Sequence, residues 1–180
     1  MKLIRLDPSH ASDYRALMLE AYAQHPQAFT SSVEERARLP LGWWESRLAP
    51  GDAPDELVFG CLLDHQLAGV AGLAFERRDK VRHKASLFGM YVPAEYRRMG
   101  LGQHLVQHAL SYARTRPGVR LVQLTVTDAN VAARSLYARH GFVPFGLEPM
   151  AVAVGTSYVD KLHMWYGLDR PSTRESFELP

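Results

Sequence analysis

Short apolar runs with the length of β-strands occupy much of the first half of the chain. They cover residues 2–6, 57–63, 67–75 and 85–92. A helical pattern lies between the first two, because apolar residues recur every three or four positions from Tyr14 to Tyr22 before Pro26 bounds them. Since only turns or polar stretches separate the last three runs, we expect them to form consecutive antiparallel strands.

A second helical region is expected between these elements. Serines and glutamates three positions apart within residues 31–35 have the pattern of a capping box. We expect Pro40 and Gly42 to interrupt the helix that follows, and residues 50–54 to form a loop. Of the adjacent pair Trp43 and Trp44, we expect one to line a substrate pocket and the other to cap the core.

The pattern changes at Leu101, where apolar residues begin to recur at helical spacing. We expect this helix to reach about Arg114 and to be followed by a strand over residues 119–126. A strand, a helix and a strand in this order form a βαβ unit, so this strand should run parallel to residues 85–92. Another helix is expected over residues 130–140, with Gly141 just beyond its C-terminus.

Three apolar or alternating runs complete the pattern. They cover residues 142–145, 150–154 and 158–168, with turns expected at Pro144, Gly146, Pro149 and Gly155. Residues 169–180 are polar with prolines and predict a loose C-terminal tail. We therefore expect one domain over residues 1–168.

A short basic loop with two glycines joins the run 85–92 to the helix that begins at Leu101. Glycine lets a backbone approach a ligand closely, and the free N–H groups at a helix N-terminus suit a phosphate or pyrophosphate. The arginines 97 and 98 would add charge-assisted bonds. A P-loop is excluded because Gln103 follows Gly102, and a dinucleotide fingerprint is excluded because Leu105 replaces its third glycine.

The remaining pattern, Arg-x-x-Gly-x-Gly at residues 97–102, resembles the pyrophosphate-binding motif of the GNAT superfamily of N-acetyltransferases. A second stretch, residues 130–142, has the Asn, Ala, Leu-Tyr and Gly-Phe spacing of the same family. The resemblance implies an α/β (α+β) fold with a mixed, mostly antiparallel central sheet, a splayed parallel strand pair and helices on both faces. In the family the strand before the motif bulges, and Gly89 is a plausible position for that bulge.

The resemblance also implies a site and a reaction. The chain would transfer the acetyl group of acetyl-CoA to a primary amine by direct attack in a ternary complex, with Tyr137 as the acid that protonates the departing thiolate. The residues implied to bind acetyl-CoA are Met90, Tyr91, Val92, Arg97, Arg98, Met99, Gly100, Leu101, Gly102, Gln103, Asn130 and Tyr137.

The sequence leaves the general base and an alternative function open. The general base that takes the amine proton could be Glu76, Asp128, His83 or water. The alternative function is a regulatory module that binds CoA without turnover, and the complete glycine motif and the tyrosine argue against it. The acetyl acceptor, a small molecule or a peptide or protein amine, is not identified by the sequence.

The composition of the chain limits the possible partners and the compartment of the protein. The chain has 180 residues, 47% of them hydrophobic, and a formal net charge of +2 that does not by itself indicate nucleic acid. The basic residues within 77–84 are interpreted as a solvated hairpin tip. Cys61 is the sole cysteine, so no internal disulfide can form, and a reducing compartment is expected.

No signal peptide or apolar run of membrane-spanning length is visible, so we expect a cytoplasmic protein without membrane partners. The sequence does not decide between a monomer and a homodimer. His104 and His108 have a metal-ligand spacing, but the glutamate of a zincin and a third ligand are missing. We therefore expect no metal site.

Overall fold

The computed structural model describes residues 1–51 and 54–169. Its strands are β1 (Lys2–Arg5), β2 (Glu56–Leu63), β3 (Gln66–Phe75), β4 (Lys84–Tyr91), β5 (Leu121–Thr127), β6 (Val143–Val154) and β7 (Ser157–Gly167). Its α-helices are α1 (Ala11–Gln24), α2 (Val33–Ala37), α3 (Leu41–Arg47), α4 (Leu101–Thr115) and α5 (Val131–Arg139). Short 3₁₀ turns lie at Pro8–His10, Pro26–Ala28 and Ala94–Tyr96.

The strands form one seven-stranded sheet in the order β1-β2-β3-β4-β5-β7-β6. Its neighbouring strands are antiparallel except for β4 and β5, which are parallel. The connection between these two strands is α4, as expected for a βαβ unit. The expected mixed, mostly antiparallel sheet with one parallel pair and flanking helices is confirmed.

Two apolar clusters lie against the sheet. Helix α4 contributes buried residues such as Leu105 and Val106 to one cluster, which includes Cys61 of β2. Helices α1 and α3 contribute Met18 and Trp44 to the other. Because each helix buries the apolar stripe that its sequence repeats every three or four residues, the sheet is covered by helices on both faces.

An extra residue in β4 opens the sheet where the parallel pair ends. Val70 pairs with Tyr91 and Gly72 pairs with Phe88, so between these two pairs β4 contains one residue more than β3. Gly89 lies in this interval with a φ of 57°, a value that favours glycine, so the predicted bulge is confirmed. Pairing of β4 with β5 ends at Ser86, and beyond it the strands separate.

The C-terminal hairpin differs from the expectation. Pro144, Gly146 and Pro149 were expected to be turns, but all three lie inside the single strand β6, which turns only after Val154. Strand β6 is at the edge of the sheet, where a proline without an N–H is tolerated. The pairing of β6 with β7 shifts register between Glu148 and Val152, so the strand continues past Pro149.

Three smaller expectations concern the helices α2 and α3 and the loops and tail. Ser32 and Glu35 form the capping box of α2. Gly42 does not interrupt a helix as expected but lies inside α3, whose N-cap is Pro40. Residues 52–53 of the expected loop and 170–180 of the expected tail lie outside the described residues. In the described part of the chain, none of the helices is both long and apolar enough to span a membrane.

Candidate active site

A cleft of about 840 Å³ opens where β4 and β5 separate. Its walls are the end of β4, the N-terminal end of α4, one side of α5 along its length, and the segment of residues 25–29 that follows α1. All of the residues implied to bind the cofactor line this cleft except Met99, whose side chain is largely exposed. The structure therefore brings together two motifs that are separated in sequence by a whole strand and a helix.

The N-terminus of α4 forms a cradle of free donors. Gly100 is its N-cap with a φ of 80°, and no side chain caps the helix. The first N–H groups of α4, those of Leu101, Gly102 and Gln103, have no acceptor within the helix. A Cβ on Gly102 would lie 3.0 Å from Met90 Cε and 3.3 Å from Leu136 Cδ2, so this glycine keeps the cleft open. The cradle suits an anion on steric and electrostatic grounds.

The two arginines before the cradle differ in their contacts. Arg97 donates from Nε to the carbonyl oxygen of Val92 at 3.1 Å, and its Nη2 lies 2.8 Å from His25 Nε2. Because a guanidinium can only donate, His25 Nε2 is the acceptor and the imidazole is neutral in this arrangement. Arg98 is exposed and has a φ of 66°.

His25 is a cleft residue that the sequence did not single out. Its partial burial and the Arg97 guanidinium both lower the pKa of its imidazole below 6.5, so it is neutral at pH 7. It begins the 25–29 segment, which forms one wall of the cleft. A histidine before a proline carries no motif, and only the long-range packing of this segment reveals its position.

Tyr137 lines the same cleft. Its side chain is 8% exposed, and its hydroxyl donates to Met90 Sδ at 3.4 Å. A thioether is a weak acceptor, so this hydroxyl is weakly held. Burial raises the pKa of Tyr137 to about 12, which keeps the phenol protonated at neutral pH.

Asn130 stabilises the start of α5. Its side chain accepts a hydrogen bond from the Ala133 N–H at 3.1 Å, as expected of an N-cap. On the opposite side of the cleft, the hydroxyl of Tyr91 donates to Glu20 Oε1 at 2.8 Å. Burial and this carboxylate raise the pKa of Tyr91 to about 12.

None of the three side chains named as candidate bases lines the cleft. Glu76 contacts Arg78 at 3.3 Å, and Asp128 is paired with Arg134 at 2.9 Å. His83 immediately precedes β4, whereas the cleft lies at the other end of that strand. Of the three, Asp128 alone follows a strand end that opens into the cleft, between the lining residues Thr127 and Ala129, and there Arg134 holds its carboxylate.

The histidines, the cysteine and the tryptophans that the sequence singled out make contacts that stabilise the fold. The Nδ1 of His104 lies 2.9 Å from the Gly100 carbonyl oxygen. The His108 ring packs edge-on against the Phe59 ring, with centroids 4.7 Å apart. Cys61 is fully buried in β2, and burial raises the pKa of its thiol. Trp44 is buried in the core, whereas Trp43 lies between the guanidinium groups of Arg36 and Arg47, each 4.8 Å from its ring centroid.

Comparison with known proteins agrees with this geometry. The family model described as "Acetyltransferase (GNAT) family" matches residues 16–142. The chain belongs to the GNAT acetyltransferase family. This match runs from within α1 to Phe142, directly before β6, and so includes both motifs of the cleft.

Individual GNAT proteins show how far the likeness extends. The [ribosomal protein bS18]-alanine N-acetyltransferase of Escherichia coli (strain K12) is 32% identical over 110 residues, which cover 61% of this chain and 70% of that protein. A GNAT-family acetyltransferase from Streptococcus pneumoniae superposes with a TM-score of 0.76 at 23% identity, covering 92% of this chain and 98% of that chain.

The protein yncA of Salmonella typhimurium, solved with its cofactor acetyl-CoA, superposes with a TM-score of 0.77 at 19% identity. The superposition covers 98% of both chains. At this level of identity the likeness concerns the fold.

Proposed function

We propose that this GNAT enzyme binds acetyl-CoA in the cleft between β4 and β5 and transfers the acetyl group directly to a primary amine. The observation that carries the proposal is the convergence of the uncapped α4 N-terminus and the Tyr137 hydroxyl on one cleft. The pyrophosphate would lie on the N–H groups of residues 101–103. The acetyl carbonyl and the pantetheine arm would pair with the backbone of residues 90–92, where the bulge frees strand donors.

The reaction needs few groups. The amine nitrogen forms a bond with the thioester carbonyl carbon, and an oxyanion develops that a strand N–H near Met90 or Tyr91 can hold. The C–S bond then breaks, and the electron pair leaves with sulfur. Burial keeps Tyr137 protonated at neutral pH, so it carries the proton that the thiolate takes, and the tyrosinate that remains recovers a proton from solvent before the next turnover. The chemistry requires no acetyl-enzyme, and the buried Cys61 is badly placed to form one.

The amine must lose a proton, and His25 is the cleft residue we assign to take it. Its imidazole is neutral at pH 7, which a general base requires. Its Nε2 is the acceptor for Arg97, so this nitrogen becomes free only when that guanidinium moves. A bound pyrophosphate would draw the Arg97 guanidinium towards the α4 N-terminus. Cofactor binding would therefore precede activation of the amine.

The test is release of CoA from acetyl-CoA in the presence of a panel of small amines, polyamines, aminoglycosides and peptide N-termini. At least one class should accelerate release well above the rate of hydrolysis, with the acetylated amine confirmed by mass spectrometry. A chain that binds acetyl-CoA but shows no amine-dependent release with any class would instead be a CoA-binding module without turnover.

A further inference from the structure

Two polar side chains are buried where the fold offers them few partners. Among the described residues, and setting aside the aromatic ones, the buried polar or charged side chains are Thr127 and Lys161, with exposures of 4% and 6%. Lysine is almost never buried without a partner. Burial lowers the pKa of the Lys161 ammonium below 10.5, although Glu148 nearby opposes this. Both residues therefore require a reason for their position.

Both side chains hold the same short segment. Thr127 Oγ1 donates to the carbonyl oxygen of Gln27 at 2.7 Å, and Lys161 Nζ donates to that of Ala28 at 3.3 Å. Thr127 and Lys161 are directly paired across β5 and β7, so their side chains stand together on one face of the sheet. Two neighbouring donors thus reach two consecutive carbonyl groups.

The ends of the 25–29 segment are fixed by other contacts. At its start His25 meets Arg97, and at its end the Phe29 ring packs edge-on against Tyr22 with centroids 4.9 Å apart. Within the described ranges, the bonds from Thr127 and Lys161 are the hydrogen bonds that join its middle, residues 26–28, to the sheet. Since Gln27, Ala28 and Phe29 line the cleft, these two bonds set the position of a cleft wall.

We propose that Thr127 and Lys161 are positioning residues that fix the 25–29 segment as the wall of the acetyl-CoA cleft. They act through the segment: Lys161 does not line the cleft, and Thr127, which does, donates its hydroxyl proton to the Gln27 carbonyl oxygen. A buried hydrogen-bonded pair that merely stabilised the core could have joined any two elements. These two side chains instead join the sheet to the segment that carries His25. The proposal rests on the proposed function for the identity of the ligand, acetyl-CoA, while the fixing of the segment is tested without it.

The test uses amide hydrogen exchange measured by mass spectrometry on peptides that cover residues 25–30. Thr127→Val keeps the shape of the side chain and removes its donor, whereas Thr127→Ser keeps the donor. Exchange in this region should accelerate roughly three- to tenfold in Thr127→Val and in Lys161→Met, the size expected for one lost hydrogen bond, and should return towards wild type in Thr127→Ser. Thr125→Val is the matched control, because Thr125 lies on the same strand and is exposed.

Calorimetric titration with acetyl-CoA supplies the second readout. Lys161→Met should weaken binding by roughly the same three- to tenfold factor, while Thr125→Val should not; neither Lys161 nor Thr125 lines the cleft, so the loss would come through the segment. Unchanged exchange at residues 25–30, or equal acceleration throughout the chain, would overturn the proposal. Local acceleration with unchanged acetyl-CoA affinity would also overturn it, because the segment would then not shape the cleft. Neither measurement requires an acetyl acceptor, so failure here is distinct from failure of the proposed reaction.

Discussion

Replacing Gly102 by valine tests the anion cradle at its narrowest point. A Cβ at this position would lie 3.0 Å from Met90 Cε and 3.3 Å from Leu136 Cδ2, and all three residues line the cleft. Both contacts are with the far ends of flexible side chains, which can shift by a few tenths of an ångström. The added methyl groups would therefore fill the space through which a phosphate approaches the α4 N–H groups.

The magnitude follows from the hydrogen bonds that would be lost. A hydrogen bond to a charged group contributes about 1.5–3 kcal/mol, which corresponds to roughly a ten- to hundredfold change in Kd. Losing one such bond should therefore raise the Kd for acetyl-CoA by roughly ten- to hundredfold. The fold should survive, because valine has a better helix propensity than glycine by a few tenths of a kcal/mol.

Calorimetric titration of acetyl-CoA, with the Tm of each protein, is the assay. Gly42→Val is a matched control, because Gly42 is also the second residue of a helix and its Cβ would meet nothing closer than 3.9 Å. The control should keep wild-type affinity. If Gly102→Val is folded and binds acetyl-CoA as tightly as the wild type, the pyrophosphate does not lie at the α4 N-terminus.

Three further predictions concern the mechanism and the buried groups. Cys61→Ala should retain most of its turnover, with initial-rate lines that intersect; parallel lines together with lost activity would indicate an acetyl-enzyme. His25→Gln should lower kcat roughly a hundredfold or more at pH 7 and remove the acidic limb of the kcat profile, whereas an unchanged profile would assign the base role to water. Burial raises the pKa of Tyr14 and Tyr137 to about 12, so the unfolded chain, with tyrosine pKa values near 10, releases these protons first. These two tyrosines should therefore leave the free energy of unfolding in urea unchanged below pH 10 and lower it between pH 10 and 12. The decrease should be less steep in Tyr137→Phe. An equal slope in that variant would show that the pKa of Tyr137 is not raised in the folded protein.

The parts of the site that the sequence predicted are those with local causes. A strand stop, two glycines and a helix start suffice to place donors at residues 101–103, and the bulge follows from one glycine among bulky neighbours. Asn130 and Gly141 likewise mark the two ends of α5 through their own backbone and side chain.

The parts that the sequence did not predict depend on long-range packing. The 25–29 segment reaches the cleft because Thr127 and Lys161 hold it, and each of them is about a hundred or more positions away along the chain. Glu76 and Asp128 have the correct chemistry for a base, but Glu76 lies at the other end of the sheet with Arg78, and Asp128, although it follows β5 beside the cleft, is paired with Arg134 and does not line it. Pro149 reads as a turn unless β6 is known to be an edge strand.

The hydroxyl of Tyr137 is the group on which the proposed chemistry depends most. Tyr137→Phe keeps the ring and its packing against Phe142, whose centroid is 5.8 Å away, and removes only the hydroxyl. Because that hydroxyl contacts only a thioether sulfur in the described residues, its loss leaves no strong acceptor unpaired. Tyr14→Phe is a matched control, because Tyr14 is also buried with a pKa of about 12 but does not line the cleft.

The decisive measurement is therefore kcat for Tyr137→Phe with a confirmed acceptor at saturating concentration, together with its acetyl-CoA affinity and Tm. We expect kcat to fall by roughly a hundred- to ten-thousandfold while acetyl-CoA affinity and Tm change little. In Tyr14→Phe, kcat should stay near wild type. A Tyr137→Phe enzyme with wild-type kcat and a lowered Tm would show that Tyr137 serves packing alone, and would contradict its role as the acid.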